Sequence, residues 1–247
     1  MKITFLGTNG WYDTSTGNTI CILLETDKYN IILDAGNGLY KIDRHITPEN
    51  PAYLFLSHFH LDHIIGLHIL NKFNLRQGLY ICGQTGTKDI LNTIINLPFS
   101  MPLNRLGYKI EIYDLPEERH KIPFQVEFLP LLHSSLTLGY RFELENKVIA
   151  YCPDTGYCEN AVRLAKDADL LITECAYKPG QSSEGWPHLN PETAAQIAQE
   201  ADAKKLALVH FDASFYQSLE ERKLAEEAAK KIFGNTFSAI DDMQIEI

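Results

Sequence analysis

Apolar positions fall along this chain in short runs rather than long ones. Residues 3–6, 19–25, 29–33, 53–56, 79–82, 109–113, 125–129, 139–144, 148–151, 170–173 and 206–209 are β-branched or alternating runs, which reads as strands. Helical spacing falls between and after them, over 87–97 and 160–166. Asn190 is placed to cap a third helix with Pro191 at its first position. A last helix is expected over 218–233, with Ser218 and Glu221 forming a capping box and Gly234 as its stop. Hairpin-rich strands come first, and strands alternating with helices follow. That order predicts two sheets face to face with helices outside, in one domain over 1–247.

Composition narrows the picture. Hydrophobic content of 45% supplies a sizeable core, and no run approaches the ~18–20 apolar residues of a membrane span. The opening residues 1–7 read as a strand rather than a secretory leader. Five cysteines, odd in number and without a C-x-x-C pair, fit a reducing cytoplasm rather than a disulfide framework. Net charge is −10 with no Lys/Arg cluster, which argues against an extended nucleic-acid surface. A small anionic substrate stays compatible, because bound divalent cations make a site locally positive.

The informative segment is His58-x-His60-x-Asp62-His63, where an apolar strand runs into four side chains of metal-ligand type. Given this composition, such a string arises by chance in roughly one sequence in 1,500, so it outweighs the reading as a solvated loop. An extended residue between His58 and His60 points both imidazoles to one side. A turn into a helix then presents Asp62 and His63 nearby. His133, Asp154 and His210 each follow a further strand, where a sheet-built site collects its functional groups.

The order His-x-His-x-Asp-His, His, Asp, His resembles the metallo-β-lactamase superfamily over essentially the whole chain. That resemblance implies an α+β fold, the four-layer αββα sandwich, and two divalent metal ions, zinc foremost with manganese or iron as alternatives. It implies that His58, His60 and His133 hold one ion, that Asp62, His63 and His210 hold the other, and that Asp154 bridges them. Asp34, before Ala35-Gly36, matches a supporting motif. Asp154 stands where two-zinc β-lactamases carry cysteine, and His60 where flavodiiron proteins carry glutamate, so neither of those activities is expected.

His188, 22 residues before His210, is similar to the general acid of ribonuclease Z and related phosphodiesterases, and Glu174 matches an acidic residue that would orient it. The stretch from His133 to Tyr140 and on through Asp154 to Gly156 resembles the cyclic-phosphate phosphodiesterases. Ribonuclease Z inserts a long tRNA-gripping arm; here only 21 residues separate His133 from Asp154. The expected function is therefore hydrolysis of a small or cyclic phosphodiester by a metal-bridging hydroxide, which Asp62 helps to orient. Ribonuclease Z-like processing of RNA, and ester, lactone or sulfate-ester hydrolysis, are the alternatives. Segments 97–108 and 177–186 are expected to shape specificity; Trp186 and Tyr216 are each read as ordinary loop packing, with stacking on a substrate base or ring as the alternative. Dimerisation is the expectation for such a chain.

Overall fold

The computed structural model describes residues 1–183 and 185–247. Glu184, inside the 177–186 segment, lies outside the described residues. Among the described residues, one sheet has seven strands, in the order Met243–Glu246, Lys2–Gly7, Cys21–Glu25, Asn30–Leu33, Ala52–Phe55, Leu79–Gln84 and Ile110–Leu115. A second has six, in the order Thr236–Ser238, Leu206–Val209, Leu170–Glu174, Lys147–Cys152, Thr137–Leu144 and Gln125–Leu131.

The period-2 alternation of strand side chains sorts each run onto two apolar faces. Ile22, Leu24, Phe55, Ile149 and Tyr151 meet in the core between the sheets. Their neighbours Cys21, Leu23 and Leu54 face an outer layer on one side, and Ala150, Cys152 and Leu208 face one on the other. Both faces of the central strands are thus covered, and Asn30–Leu33, Ala52–Phe55, Leu170–Glu174 and Leu206–Val209 are buried throughout, while the outer strands alternate. Over the second sheet lie the helices Glu159–Ala165, Pro191–Glu200 and Leu219–Lys230. Over the first lie the helix Thr87–Ile94 and the 3₁₀ segments Asn37–Arg44 and Ile65–Lys72. The four layers are the expected αββα sandwich.

Asn190 and Ser218 both cap as expected, each within a reciprocal capping box. Two details differ. The turn after the histidine cluster is a four-residue helix, Leu61–Ile64, running into 3₁₀ geometry rather than a full α-helix. The last helix ends at Lys230, and its closing N–H groups bond the Ala228 and Ala229 carbonyls. Gly234 lies beyond that close and does not adopt the left-handed conformation of a glycine stop. No described helix is long and apolar enough to cross a membrane.

Register positions the site. Lys147–Cys152, Leu170–Glu174 and Leu206–Val209 run parallel, with Cys152 opposite Thr173 and Glu174 opposite Val209. The residues at or just past their ends, Asp154, Glu174 and His210, therefore emerge along one edge. In the facing sheet Leu33 pairs with Phe55, also in parallel, which brings Asp34 and His58 out together.

Candidate metal centre

The chain leaves Ala52–Phe55 and stays extended through His60 (φ −60°, ψ 144°) before the short helix begins. That geometry gathers the rings: His58 lies 4.4 Å from His60 and 4.2 Å from His63, centroid to centroid. Asp34, fully buried and in a left-handed backbone conformation, braces this turn. Its carboxylate accepts from the Ser57 N–H (2.8 Å), the Ser57 hydroxyl (2.8 Å) and the Tyr151 hydroxyl (2.7 Å). It also accepts from Nδ1 of His63 at 2.8 Å, which fixes the ring with Nε2 toward the cluster. Gly36 permits the close approach, since a Cβ there would lie 2.4 Å from the Asp62 carbonyl oxygen.

The second sheet supplies the other side. Asp154 Oδ1 stands 3.1 Å from His63 Nε2 and 3.2 Å from His210 Nε2. Its Oδ2 stands 3.7 Å from His133 Nε2 and 3.9 Å from His58 Nε2. One carboxylate thus addresses two halves of the cluster with separate oxygens. Asp62 Oδ2 lies 3.3 Å from His210 Nε2 and accepts the Trp11 N–H at 2.8 Å. His210 sits in a left-handed backbone (φ 52°), between the strand Leu206–Val209 and a two-residue pairing of Phe211–Asp212 with Asn9–Gly10.

All seven side chains expected to ligate come together. Donor atoms of His58, His60, His133 and Asp154 lie within 4.8 Å of one another, as do those of Asp62, His63 and His210. His58 Nε2 and Asp154 Oδ1, both facing the cluster, are buried without a hydrogen-bond partner, a state that coordination would relieve. Charge points the same way. Burial, reinforced by His63, holds His58 well below the usual imidazole range, and burial lowers His133 to about 4. Burial also works against protonating His63 and His210, yet the carboxylates, Asp154 foremost, overcome it and raise both. Neutral imidazoles on one side and carboxylates seeking positive charge on the other make a donor set that fits divalent cations.

Beside the cluster, His188 Nδ1 lies 2.6 Å from Glu174 Oε1. Glu174 is fully buried and held by the N–H groups of Thr155 (2.6 Å) and Ala176 (3.0 Å). Burial alone would lower the imidazole, but this carboxylate raises it to about 9. A cavity of about 700 Å³ opens over both groups, lined among others by Gly10, Trp11, Leu61, Tyr177, Trp186 and Phe215.

One expectation fails here, and for Tyr216 packing holds over the stacking alternative. Segment 97–108 does not border the cavity; Leu103, Leu106 and Tyr108 pack along the far edge of the first sheet, where the Tyr108 hydroxyl bonds the Leu70 carbonyl. Tyr216 cannot stack on a ligand, being fully buried with its hydroxyl on the Tyr177 carbonyl, while its neighbour Phe215 faces the cavity. Three residues went unread in the sequence: Gly10 under His210, Trp11 on Asp62, and Arg222. Arg222, 1% exposed, donates to Thr8 and Asn9 and covers the Phe211 ring, tying together the loops that carry Gly10 and His210.

A divalent-metal-dependent hydrolase is the class that this sandwich and its ligand-bearing edge define. At the level of family, the profile of the Beta-lactamase superfamily domain matches residues 29–211, and the chain belongs to that superfamily. It is 27% identical to the probable metallo-hydrolase YhfI of Bacillus subtilis over 215 residues, covering 85% of this chain and 86% of the relative. The crystal structure of YhfI superposes with a TM-score of 0.81 at 22% identity, over 100% of this chain and 98% of that one. Ribonuclease Z of Bacillus thuringiensis is 28% identical over 305 aligned positions, 98% of this chain and 97% of the relative, so it carries extra segments between the matched ones. A diphosphatase of the PhnP family shares the fold with a TM-score of 0.70 at 15% identity, over 100% and 97% of the two chains.

Proposed function

We propose that the protein hydrolyses a small or cyclic phosphodiester with two divalent cations. His58, His60 and His133 would hold one, Asp62, His63 and His210 the other, and Asp154 would serve both through its separate oxygens. Imidazole and carboxylate donors suit zinc first, with manganese and iron accepted by the same set. Bound there, the cations would supply Lewis-acid charge to a phosphoryl oxygen and lower the pKa of the attacking water.

The observation that carries the phosphodiester reading is the 2.6 Å pairing of His188 with Glu174 beside the cluster. Glu174 keeps a proton on Nδ1 and stabilises the imidazolium, which leaves Nε2 to deliver its proton to the departing oxygen. Asp62, with one oxygen already on the Trp11 N–H, orients the attacking water. Asp34 keeps His63 in the ligating tautomer.

The match to ribonuclease Z favours RNA processing as a second reading. Against it stand the net charge of −10, the short His133–Asp154 interval, and the absence of Lys or Arg among the described residues lining the cavity. Assays on the zinc-loaded protein separate the two. Turnover of bis(p-nitrophenyl) phosphate and 2′,3′-cyclic nucleotides with inert precursor tRNA is expected; cleavage of precursor tRNA alone would replace this reading with the second. His188→Ala should lower kcat/KM by on the order of 10²–10⁴ for a poor leaving group and little for p-nitrophenolate. Equal losses on both substrates remove the acid role.

A further inference from the structure

The chain has two tryptophans, and both line the one cavity over the ligand cluster. Trp11 is 65% exposed and Trp186 49% exposed, so neither ring serves the core. They stand on opposite flanks of the site. Trp186 stacks on His60 (6.1 Å, 9° between planes) and meets His133 edge-on at 5.7 Å, on the side of the proposed His58–His60–His133 ion. Trp11 belongs to the other half, its N–H fixed on Asp62 Oδ2. Its left-handed backbone (φ 73°) is costly for a bulky residue, and the surrounding loop maintains it. Leu61, 70% exposed, continues the apolar rim.

Charge bounds what fits between. The cavity lining includes Asp62, Asp154 and Asp212 and, among the described residues, neither Lys nor Arg. Beyond the proposed cations and the histidines already given roles, no basic side chain among the described lining residues would pair with a second phosphate. A strand of nucleotides needs a basic track, and a lone ring-bearing phosphodiester does not. We infer that Trp11 and Trp186 form an aromatic subsite that selects phosphodiesters carrying a single phosphate and a flat aromatic ring, a nucleobase or an aryl group. This inference rests on the phosphodiester reading above and names its substrate class.

Because the chain has only these two tryptophans, emission excited at the red edge, where its twelve tyrosines do not absorb, reports on this subsite. Zinc-loaded protein is titrated with adenosine 5′-monophosphate, phenyl phosphate and ribose 5-phosphate, which resemble products with a base, an aryl ring and no ring. At least one ring-bearing ligand should quench the emission and bind roughly 5- to 150-fold more tightly than ribose 5-phosphate, the range expected for one stacked ring. The tighter of the two identifies the ring. Trp11→Leu and Trp186→Leu should each erode that preference by a larger factor than they change ribose 5-phosphate binding, and the tryptophan left in each variant assigns its share of the quench. Equal affinity for all three ligands, or a preference untouched by either substitution, overturns the subsite. A short oligoribonucleotide that outbinds adenosine monophosphate, with affinity falling steeply as salt rises, overturns the single-phosphate part. Phosphodiester turnover without ring preference discards the subsite and keeps the reaction. Ring-dependent binding without phosphodiester turnover does the opposite.

Discussion

Replacing Gly10 by alanine tests whether the site depends on a contact that no ligand motif reveals. A Cβ built at Gly10 falls 2.5 Å from Cε1, 2.7 Å from Nδ1 and 2.9 Å from Nε2 of His210. The backbone of Gly10 is not left-handed, so alanine meets no dihedral penalty. Its carbonyl still accepts from Tyr12 and Ala213, and the pairing with Asp212 persists. The whole effect therefore falls on the imidazole, which must recede by roughly 1 Å to reach ordinary contact, and misplacement on that scale costs on the order of 10²-fold in rate. Overpacking adds about 1–3 kcal/mol of destabilisation, too little to unfold a typical domain. The expected Gly10→Ala protein melts cooperatively a few degrees lower. It keeps the ion of the His58 half, loses affinity for the ion of the His210 half, and turns over bis(p-nitrophenyl) phosphate about 100-fold more slowly. Metal analysis after dialysis, circular dichroism and kcat/KM read these separately. Full metal content together with full turnover would refute the claim that this glycine sets the His210 ring.

Further perturbations address the supports. Asp34→Asn leaves buried donors of Ser57, Tyr151 and His63 facing an amide. It should cost about 2–5 kcal/mol in denaturant unfolding and weaken zinc 10–100-fold in chelator competition, while unchanged affinity would remove its orienting role. Arg222→Met strips donors from Thr8, Asn9 and Thr16 and should lower stability by roughly 2–4 kcal/mol in a thermal melt, with no loss expected if the guanidinium merely fills space. In the metal-free protein an NMR titration should place His188 near 9. Since burial opposes its charge and Glu174 favours it, Glu174→Gln should drop the midpoint below the ordinary imidazole value. The sign for stability follows: with the folded value raised, the pair stabilises fully below about pH 6.5 and loses that contribution as pH rises toward 9.

Much of this was legible because the physics was local. Strands covered on both faces write continuous apolar runs, and caps such as Asn190 and Ser218 act within one turn of chain. Most of the candidate ligands were legible because parallel strands end in register, so a polar residue after each of those apolar runs collects at one edge. What stayed hidden depends on contacts distant in sequence. The pairing of Asn9–Gly10 with Phe211–Asp212 is two residues long and carries no periodicity. Arg222 lies in a helix of glutamates and lysines and reads as a solvated face, yet that face covers the loops under His210. The 3₁₀ segments repeat too few times to show a period. Phe215 and Tyr216 exchanged roles because side-chain direction in a short turn follows tertiary packing. Trp11 did leave a signal: an aromatic pair directly after Asn-Gly, in a turn that has no core to bury it.

On the phosphodiester reading, the distribution of charge accounts for how an acidic protein would take an anionic substrate. Carboxylates occupy both the brace and the floor of the cavity, with Asp34 behind His63 and Asp62 and Asp154 in front of it. Those carboxylates, Asp154 foremost, favour positive charge on His63 and His210 against the effect of burial. On the phosphodiester reading, cation binding would compete with protonation of these rings, and affinity for metal and for phosphate would be linked through the same three carboxylates. On that reading the surface needs no basic patch, because attraction for the anion would arise inside the cavity once the candidate ligands hold cations. Such attraction acts at contact range, where salt screens it little. It favours a compact substrate that reaches the floor of the cavity over a long one that must lie along an acidic exterior.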